Sequence, residues 1–323
     1  MNAKLGPVAA AAAILACGAA AAQDQDLLIG STSASSSHYG YFVAVGQVIN
    51  EAAEGVSASV VETGATMDNL RRMERGQVDL GLVTTNTALH AVEGRNAFEG
   101  SPQDVTLMWV YTISPQNVIV RADAGVASIE DLSTEVAFNP GIRGSSTEVT
   151  TEQVFATLGI EADLVRGSTT DIVDAIKDNR VSGYVKSGAG EKLDSSTMDI
   201  ATATDIQVLG LSDAQVAMIE SEMPDISVVE IPEGAGEGIP AYSTWAFASG
   251  VAAAPALDEE TAYEIVSAVM ADDTVQPNAM AGTDGASLAE MTLEYGTIPL
   301  HPGAARWFRE QGMEIPERLE PRG

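Results

Sequence analysis

Short apolar runs alternate with amphipathic stretches along most of this chain, and the alternation limits the folds that it can adopt. The apolar run 57–61, for example, is followed by the amphipathic stretch 67–75 and then by the apolar run 78–83. Runs of this length are typical of strands, and the stretches between them have helical spacing. Strands that alternate with helices predict an α/β fold with a largely parallel or mixed sheet.

The segment 41–53 carries a clear helical pattern, and Gly55 follows it as a stop signal. Its apolar residues recur at helical spacing: Phe42, Val45, Val48, Ile49 and Ala52. A second α/β series runs from Val118 to Val185. Two α/β series in one chain predict two lobes, each with a core of its own.

The bounds of the predicted lobes are set by the places where the chain can cross between them. Pro115 and the stretch 232–240, which is rich in glycine and proline, are the expected crossing points. We therefore expect the following division: lobe I over residues 23–115, lobe II over residues 116–238, and a return to lobe I with C-terminal helices over residues 239–323.

The first 22 residues have the pattern of a cleavable export signal. Lys4 precedes a short apolar stretch over residues 8–16, and alanines at 20–22 precede Gln23. This order is typical of a secretory signal peptide. The apolar stretch is shorter than the ~20 residues that span a bilayer. We therefore expect cleavage after Ala22 and a soluble protein in the periplasm.

Cys17 leaves a second possibility open, because the preceding residues Ile14, Leu15 and Ala16 loosely resemble a lipoprotein signal. If cleavage follows Ala22 instead, the exported chain has no cysteine, and disulfides and thiolate chemistry are excluded. The 46 acidic and 16 basic residues give a net charge of −30. This charge argues against nucleic acid and anionic membranes as partners. A solvated acidic surface, as in a salty habitat, explains it most simply.

Three polar loops lead from a predicted strand into a predicted helix. They cover residues 30–40, 63–66 and 144–147, and each contains Ser or Thr residues that cap helix starts. The free N–H groups of a helix start attract anions. A solvated serine-rich loop is the alternative for residues 30–40. Because the third loop belongs to the other lobe, we expect the three to hold a polar solute between the lobes.

The sequence contains no recognisable catalytic pattern. His38, His90 and His301 are far apart, no metal-binding spacing occurs, and no nucleophile or nucleotide-binding motif is present. We therefore expect no enzyme, no metal and no cofactor. A periplasmic enzyme that uses Asp or Glu as a base remains the minor alternative.

Basic residues are informative because they are scarce. Arg143 precedes the loop 144–147, and Lys186 follows the predicted strand 181–185, so that both could face a cleft between the lobes. Either side chain could pair with a ligand carboxylate. The alternative for each is a surface charge that balances acidic neighbours. Tyr242 and Trp245 are interpreted as core or hinge residues.

Several motifs occur in a specific order. Residues 29–33 read Ile-Gly-Ser-Thr-Ser, residues 62–70 read Glu-Thr-Gly-Ala-Thr-Met-Asp-Asn-Leu, and residues 144–149 read Gly-Ser-Ser-Thr-Glu-Val. Nearer the C-terminus, residues 298–304 read Ile-Pro-Leu-His-Pro-Gly-Ala. In this order the motifs resemble those of the TAXI solute-binding proteins, the extracytoplasmic receptors of TRAP transporters, over essentially the whole exported chain.

The resemblance implies a type II periplasmic-binding-protein fold, with two α/β lobes joined by a hinge. A protein of this class closes on a small organic anion, such as an amino acid, a dicarboxylate or an oxoacid. It then delivers the anion to membrane permease subunits whose transport depends on an ion gradient and needs no ATP. We expect a monomer. The positions carried over as ligand-binding are Ser31, Ser33, Ser37, Tyr39, Thr63, Gly64, Asn69, Thr85, Asn86, Ser145, Ser146 and Thr147.

Four departures from the family pattern bear on the ligand. The first loop is rich in serine instead of glycine, and His38 replaces an aromatic residue. The loop 139–143 is about two residues longer and introduces Arg143, and Lys186 stands where members commonly have an apolar or small residue. Two added cations suggest a more anionic ligand, such as a dicarboxylate or an oxoacid. A sensor or adaptor that presents the solute to a receptor kinase is the alternative function.

Overall fold

A computed structural model describes residues 25–322 of the chain. The predicted export signal and Cys17 lie outside the described residues. Over this range the chain forms ten strands and eleven α-helices. The strands are β1 (Gln25–Gly30), β2 (Val56–Val61), β3 (Leu80–Thr84), β4 (Thr106–Arg121), β5 (Ala137–Asn139), β6 (Asp163–Leu164), β7 (Gly183–Ser187), β8 (Ile206–Leu209), β9 (Ser227–Ile231) and β10 (Tyr242–Ala253).

The helices follow the strands in an order close to strict alternation over the first two thirds of the chain. They are α1 (Ser37–Ala52), α2 (Thr66–Glu74), α3 (Thr85–Glu93), α4 (Ser146–Leu158), α5 (Thr169–Lys177), α6 (Ser195–Ala201), α7 (Asp213–Glu222), α8 (Glu259–Ala271), α9 (Val275–Ala279), α10 (Gly285–Tyr295) and α11 (Pro302–Glu310). The predicted α/β fold is confirmed.

The strands form a mixed sheet in the order β2-β1-β3-β10-β4-β7-β5-β6, with β8 also paired to β4 and β9 to β10. β1 is parallel to β2 and β3, and β5 is parallel to β6 and β7. Two long strands join these groups. β4 pairs with β10 through its first half and with β7 and β8 through its second half, both antiparallel.

Three hydrophobic cores lie around this sheet. The largest is built from residues between Leu27 and Tyr111 and between Ala248 and Leu319. The other two are built from residues between Val118 and Trp245. The chain thus passes from one core to another twice, and it does so within β4 and β10.

Several elements differ from their predicted form. The first helix begins at Ser37 instead of residue 41, because the side chain of Ser36 accepts a hydrogen bond from His38 N and caps the helix earlier. Pro115 lies inside β4, in register with Ala246 of β10, so the chain passes from one core to the next there within a strand. Lys186 lies within β7, opposite Asn117, and does not follow the strand.

Every helix within residues 25–322 is too short or too polar to span a lipid bilayer.

Candidate functional site

A cavity of about 40 Å³ lies where the carboxyl ends of β1, β3, β5 and β7 meet. This edge is where open α/β sheets bind their ligands. Both groups of strands contribute to its wall. The lining residues are Thr32, Ser36, His38, Ala65, Thr66, Leu82, Thr84, Ile142, Ser145, Ser146, Thr147, Val185, Lys186, Ser187 and Ser249.

Two helices begin in the wall of this cavity. Ser145 caps α4 by accepting a hydrogen bond from Glu148 N, and the next two residues, Ser146 and Thr147, line the cavity. α2 begins after Ala65, which has a φ of 65° and no side-chain oxygen to cap the helix. A non-glycine residue at positive φ is strained, and such strain often occurs at ligand sites. Both helix starts present their positive ends to the cavity.

A third helix start, that of α1, is taken by a carboxylate of the protein itself. Asp194 Oδ2 accepts hydrogen bonds from Ser36 Oγ and from Ser37 N, both at 2.8 Å. Its other oxygen accepts from Ser196 N at 3.0 Å and from Ser196 Oγ at 2.6 Å, which caps α6. Asp194 is fully buried. At the start of α1, Ser37 N therefore donates to Asp194 and His38 N donates to Ser36 Oγ at 3.3 Å, so these N–H groups are not free for a ligand.

The buried Lys186 places a cation in the cavity wall, with 7% of its surface exposed. Within the described chain, Nζ makes one hydrogen bond, to Ser36 Oγ at 3.2 Å. It lies 3.6 Å from Asp194 Oδ1, which is an ion-pair distance but longer than a hydrogen bond between charged groups. Since an ammonium group has three donors, Lys186 keeps hydrogen-bonding capacity for a further acceptor.

Lys186 and Asp194 are the charged side chains of the cavity wall and its immediate support at pH 7. Burial alone raises the pKa of Asp194, but the Lys186 charge, His38 and the hydrogen bonds from Ser196 outweigh it, and the pKa lies below its usual range. Burial lowers the pKa of His38 to about 4, so this imidazole is neutral at pH 7. Its Nε2–H donates to the Gly188 carbonyl, and its Nδ1 accepts from Tyr111.

Hydrogen bonds cross the cleft beside the cavity. Thr84 Oγ1, at the end of β3, donates to Ser146 Oγ of α4 at 2.6 Å. Met67 N, in the first turn of α2, donates to the Gly144 carbonyl at 3.0 Å. With the Asp194 contacts, these bonds hold the cleft closed over the cavity.

Four of the fourteen predicted ligand-binding residues line the cavity: Ser145, Ser146, Thr147 and Lys186. Six others support the loops behind it: Ser31, Ser33, Thr63, Gly64, Asn69 and Asn86. Asn69 Nδ2, for example, donates to the carbonyls of Gly30, Ser31 and Leu82 and ties β1 to β3. Thr63 Oγ1 donates to the Ser31 carbonyl at 2.7 Å.

The other four predicted residues lie away from the cavity. Ser37 Oγ accepts from Ser195 N, and Tyr39 lies in a surface groove along α1. Thr85 lines a separate groove of about 400 Å³ together with Phe247 and Tyr295. Arg143 is exposed, and its neighbour Ile142 lines the cavity instead. The position of Arg143 favours the surface-charge alternative.

Several residues of the site were not predicted from the sequence. Most of them adjoin a predicted residue, as Thr32, Ser36 and His38 do, and this position in a polar loop is the signal that points to them. Thr66 lies in the predicted loop 63–66. Asp194 had no comparable signal. It meets Ser36 across 158 positions of the sequence, and no local motif marks it among the many acidic residues.

The chain matches the NMT1-like family over residues 29–312, which is most of its length. It belongs to the NMT1-like family. Several solved structures that are described as periplasmic proteins have a fold similar to that of this chain. The structure described as R. palustris Rpa4515 with adipate superposes with a TM-score of 0.55 at 16% identity, covering 88% of this chain and 95% of that one.

Two further structures support the same fold. One is described as a periplasmic transporter (TM-score 0.54, 12% identity), and the other as the periplasmic binding protein BugD (TM-score 0.53, 13% identity). Each comparison covers 90% of this chain and 98% of the other. At these identities the likeness concerns the fold, which is that of the periplasmic solute-binding proteins.

Proposed function

We propose that this protein is an extracytoplasmic solute-binding protein that captures a small organic anion and delivers it to membrane permease subunits. The observation that carries the proposal is the buried Lys186, which keeps free hydrogen-bond donors in the wall of a cavity between two helix starts. A cation and helix N-termini together favour an anion. The family and the fold are consistent with binding and release between lobes.

The proposed transporter is of the TAXI type within the TRAP class, and the ordered motifs support this assignment. In this proposal the export signal brings the protein to the periplasm. Uptake of the solute by proteoliposomes that carry the permease subunits should then require an ion gradient. Uptake that requires ATP instead would assign the protein to an ABC-type importer. Neighbouring genes for a receptor kinase, without permease genes, would favour the sensor alternative.

Binding itself can be tested by thermal unfolding of the purified protein with a panel of small carboxylates, amino acids and inorganic anions. A ligand that binds only the folded protein raises Tm according to its concentration and affinity. We expect at least one small organic anion to raise Tm in a saturable way. A folded protein that no member of the panel stabilises would contradict the proposal. Slow turnover of a bound solute would instead revive the enzyme alternative.

The two scarce cations give a matched pair of variants. Lys186→Met should weaken binding of that anion roughly tenfold to a hundredfold, because a hydrogen bond to a charged group is worth about 1.5–3 kcal/mol. Arg143→Met should leave the affinity unchanged, since the side chain is exposed. Titration calorimetry measures both. A larger loss for Arg143→Met than for Lys186→Met would move the site from the cavity to the surface loop.

A further inference from the structure

We infer that the cavity takes a short-chain monocarboxylate and excludes dicarboxylates and amino acids. This inference rests on the proposed function, because it names the class of solute for the same cavity. It differs from the sequence-based expectation of a more anionic ligand, which depended on two cations near the cleft. One of these, Arg143, is exposed, and Lys186 alone lines the cavity.

The balance of charge at the site favours a single negative charge. Lys186 and Asp194 form a neutral pair, and His38 is neutral at pH 7. The starts of α2 and α4 each contribute roughly half a positive charge, about one unit together. The carboxylates in their first turns, Asp68 and Glu148, are balanced by ion pairs with Arg72 and Arg166. The partial positive charge of the two helix starts balances the negative charge of one carboxylate. A second carboxylate would remain buried without a partner, and an unpaired buried charge is strongly unfavourable.

The state of Asp194 argues against an amino acid as the ligand. Its two oxygens already accept four hydrogen bonds from Ser36, Ser37 and Ser196. A carboxylate offers about four acceptor positions, so Asp194 has none left for the ammonium group of an amino acid. Lys186 would in addition repel that ammonium group. Its free donors suit a carboxylate instead.

The size and the lining of the cavity suggest the rest of the ligand. The small volume of the cavity, about 40 Å³, favours a solute with only a few non-hydrogen atoms. Part of the wall is apolar, formed by Ala65, Leu82, Ile142 and Val185. This wall suits a methyl or short alkyl group. A short alkyl chain with one carboxylate has both required parts.

Thr66 supplies an independent observation. It is the first residue of α2, it lines the cavity, and 1% of its surface is exposed. Among the described residues, its hydroxyl Oγ1 finds no hydrogen-bond partner. A buried hydroxyl without a partner costs about 1–3 kcal/mol. We assign it to the ligand carboxylate, together with Lys186.

Selectivity is the first test. Titration calorimetry of the purified protein should show saturable binding of propionate, with malonate and alanine at least tenfold weaker. Malonate or alanine that binds as tightly as propionate would overturn the inference while leaving the proposed solute-binding function intact. If no solute of any charge binds, the proposed function itself fails, so the two failures are distinguishable.

A pair of isosteric variants tests the site directly. Thr66→Val removes the unpartnered hydroxyl of the cavity wall and should weaken propionate binding roughly tenfold or more, as expected for a hydrogen bond to a charged acceptor. Thr151→Val removes another buried hydroxyl without a partner, on α4 but outside the cavity wall, and should leave the affinity unchanged. Neither variant leaves a partner unpaired, so both should fold. Equal propionate affinities for the two variants would remove Thr66 from the site and overturn the assignment.

Discussion

Among the individual residues, His38 shows how the environment of the site sets the state of a side chain. It is buried between Tyr111 and the carbonyl of Gly188, and these partners use both ring nitrogens. The ring of Tyr111 is itself held by stacking on Tyr41, with 4.2 Å between the ring centroids. Protonation would bury a charge beside Lys186 and break the bond from Tyr111. The packed imidazole therefore stays neutral.

This state predicts how stability depends on pH. Unfolded His38 takes up a proton near pH 6.5, whereas the folded residue does so only near pH 4. The unfolded chain thus binds more protons between these values, and stability is complete above pH 6.5 and is lost as pH falls toward 4. The loss amounts to about 3 kcal/mol at about 1.4 kcal/mol per pKa unit. Asp194, whose pKa is lowered, adds a loss at still lower pH.

The variant His38→Gln should show a flatter profile of unfolding free energy between pH 6.5 and pH 4 in urea titrations. Some slope should remain, because burial also lowers the pKa of His301. Above pH 7, where His38 is neutral in both the folded and the unfolded chain, the two profiles should run parallel. Identical profiles for His38→Gln and the wild type would contradict the assignment of this pH dependence to His38.

At the scale of elements, strand β7 carries Lys186 into the cavity and is held close to β4. Gly183, the first residue of β7, has no side chain, and a Cβ there would lie 2.1 Å from the Ile119 carbonyl oxygen and 2.8 Å from Val120 Cα. The backbones of the two strands can approach this closely only because the residue is glycine. The position of Lys186 thus depends on the start of its own strand.

Gly183→Ala should therefore destabilise the protein by about 2 kcal/mol, because the new methyl group overlaps a strand that cannot move freely. Gly40→Ala should change the free energy of unfolding in the opposite direction. Gly40 is exposed within α1, and its Cβ would meet no atom within 4 Å. Alanine there should stabilise the helix by about 1 kcal/mol. Equilibrium unfolding in urea measures both values, and effects of equal sign would contradict the packing argument.

At the scale of the whole molecule, the net charge of −30 contrasts with a site that holds one buried cation. Most acidic side chains are spread over the surface and repel one another, which disfavours the compact state. Salt screens such repulsion over about 10 Å at 0.1 M. The acidic surface therefore makes the stability of the protein depend on salt, whereas the cavity determines which ligand binds.

Raising NaCl from about 0.02 M to about 1 M at pH 7 should increase Tm by several degrees, because screening shortens the range of the repulsion. The control is the same series near pH 4.1, the isoelectric point of the sequence, where the net charge vanishes. The rise in Tm should be much smaller there. An equal rise at both pH values would attribute the effect to something other than net charge.

The α/β class could be predicted from the sequence, since the apolar periods report the local geometry of strands and helices. The start of α4 could be predicted as well, because Ser145 caps the residues next to it. The tertiary structure alone decided that Asp194 takes the start of α1, that Arg143 is exposed, and that Lys186 is buried. The physical reason is distance along the chain. A cap acts over three residues, whereas burial and charge pairing depend on segments that meet only when the sheet is assembled.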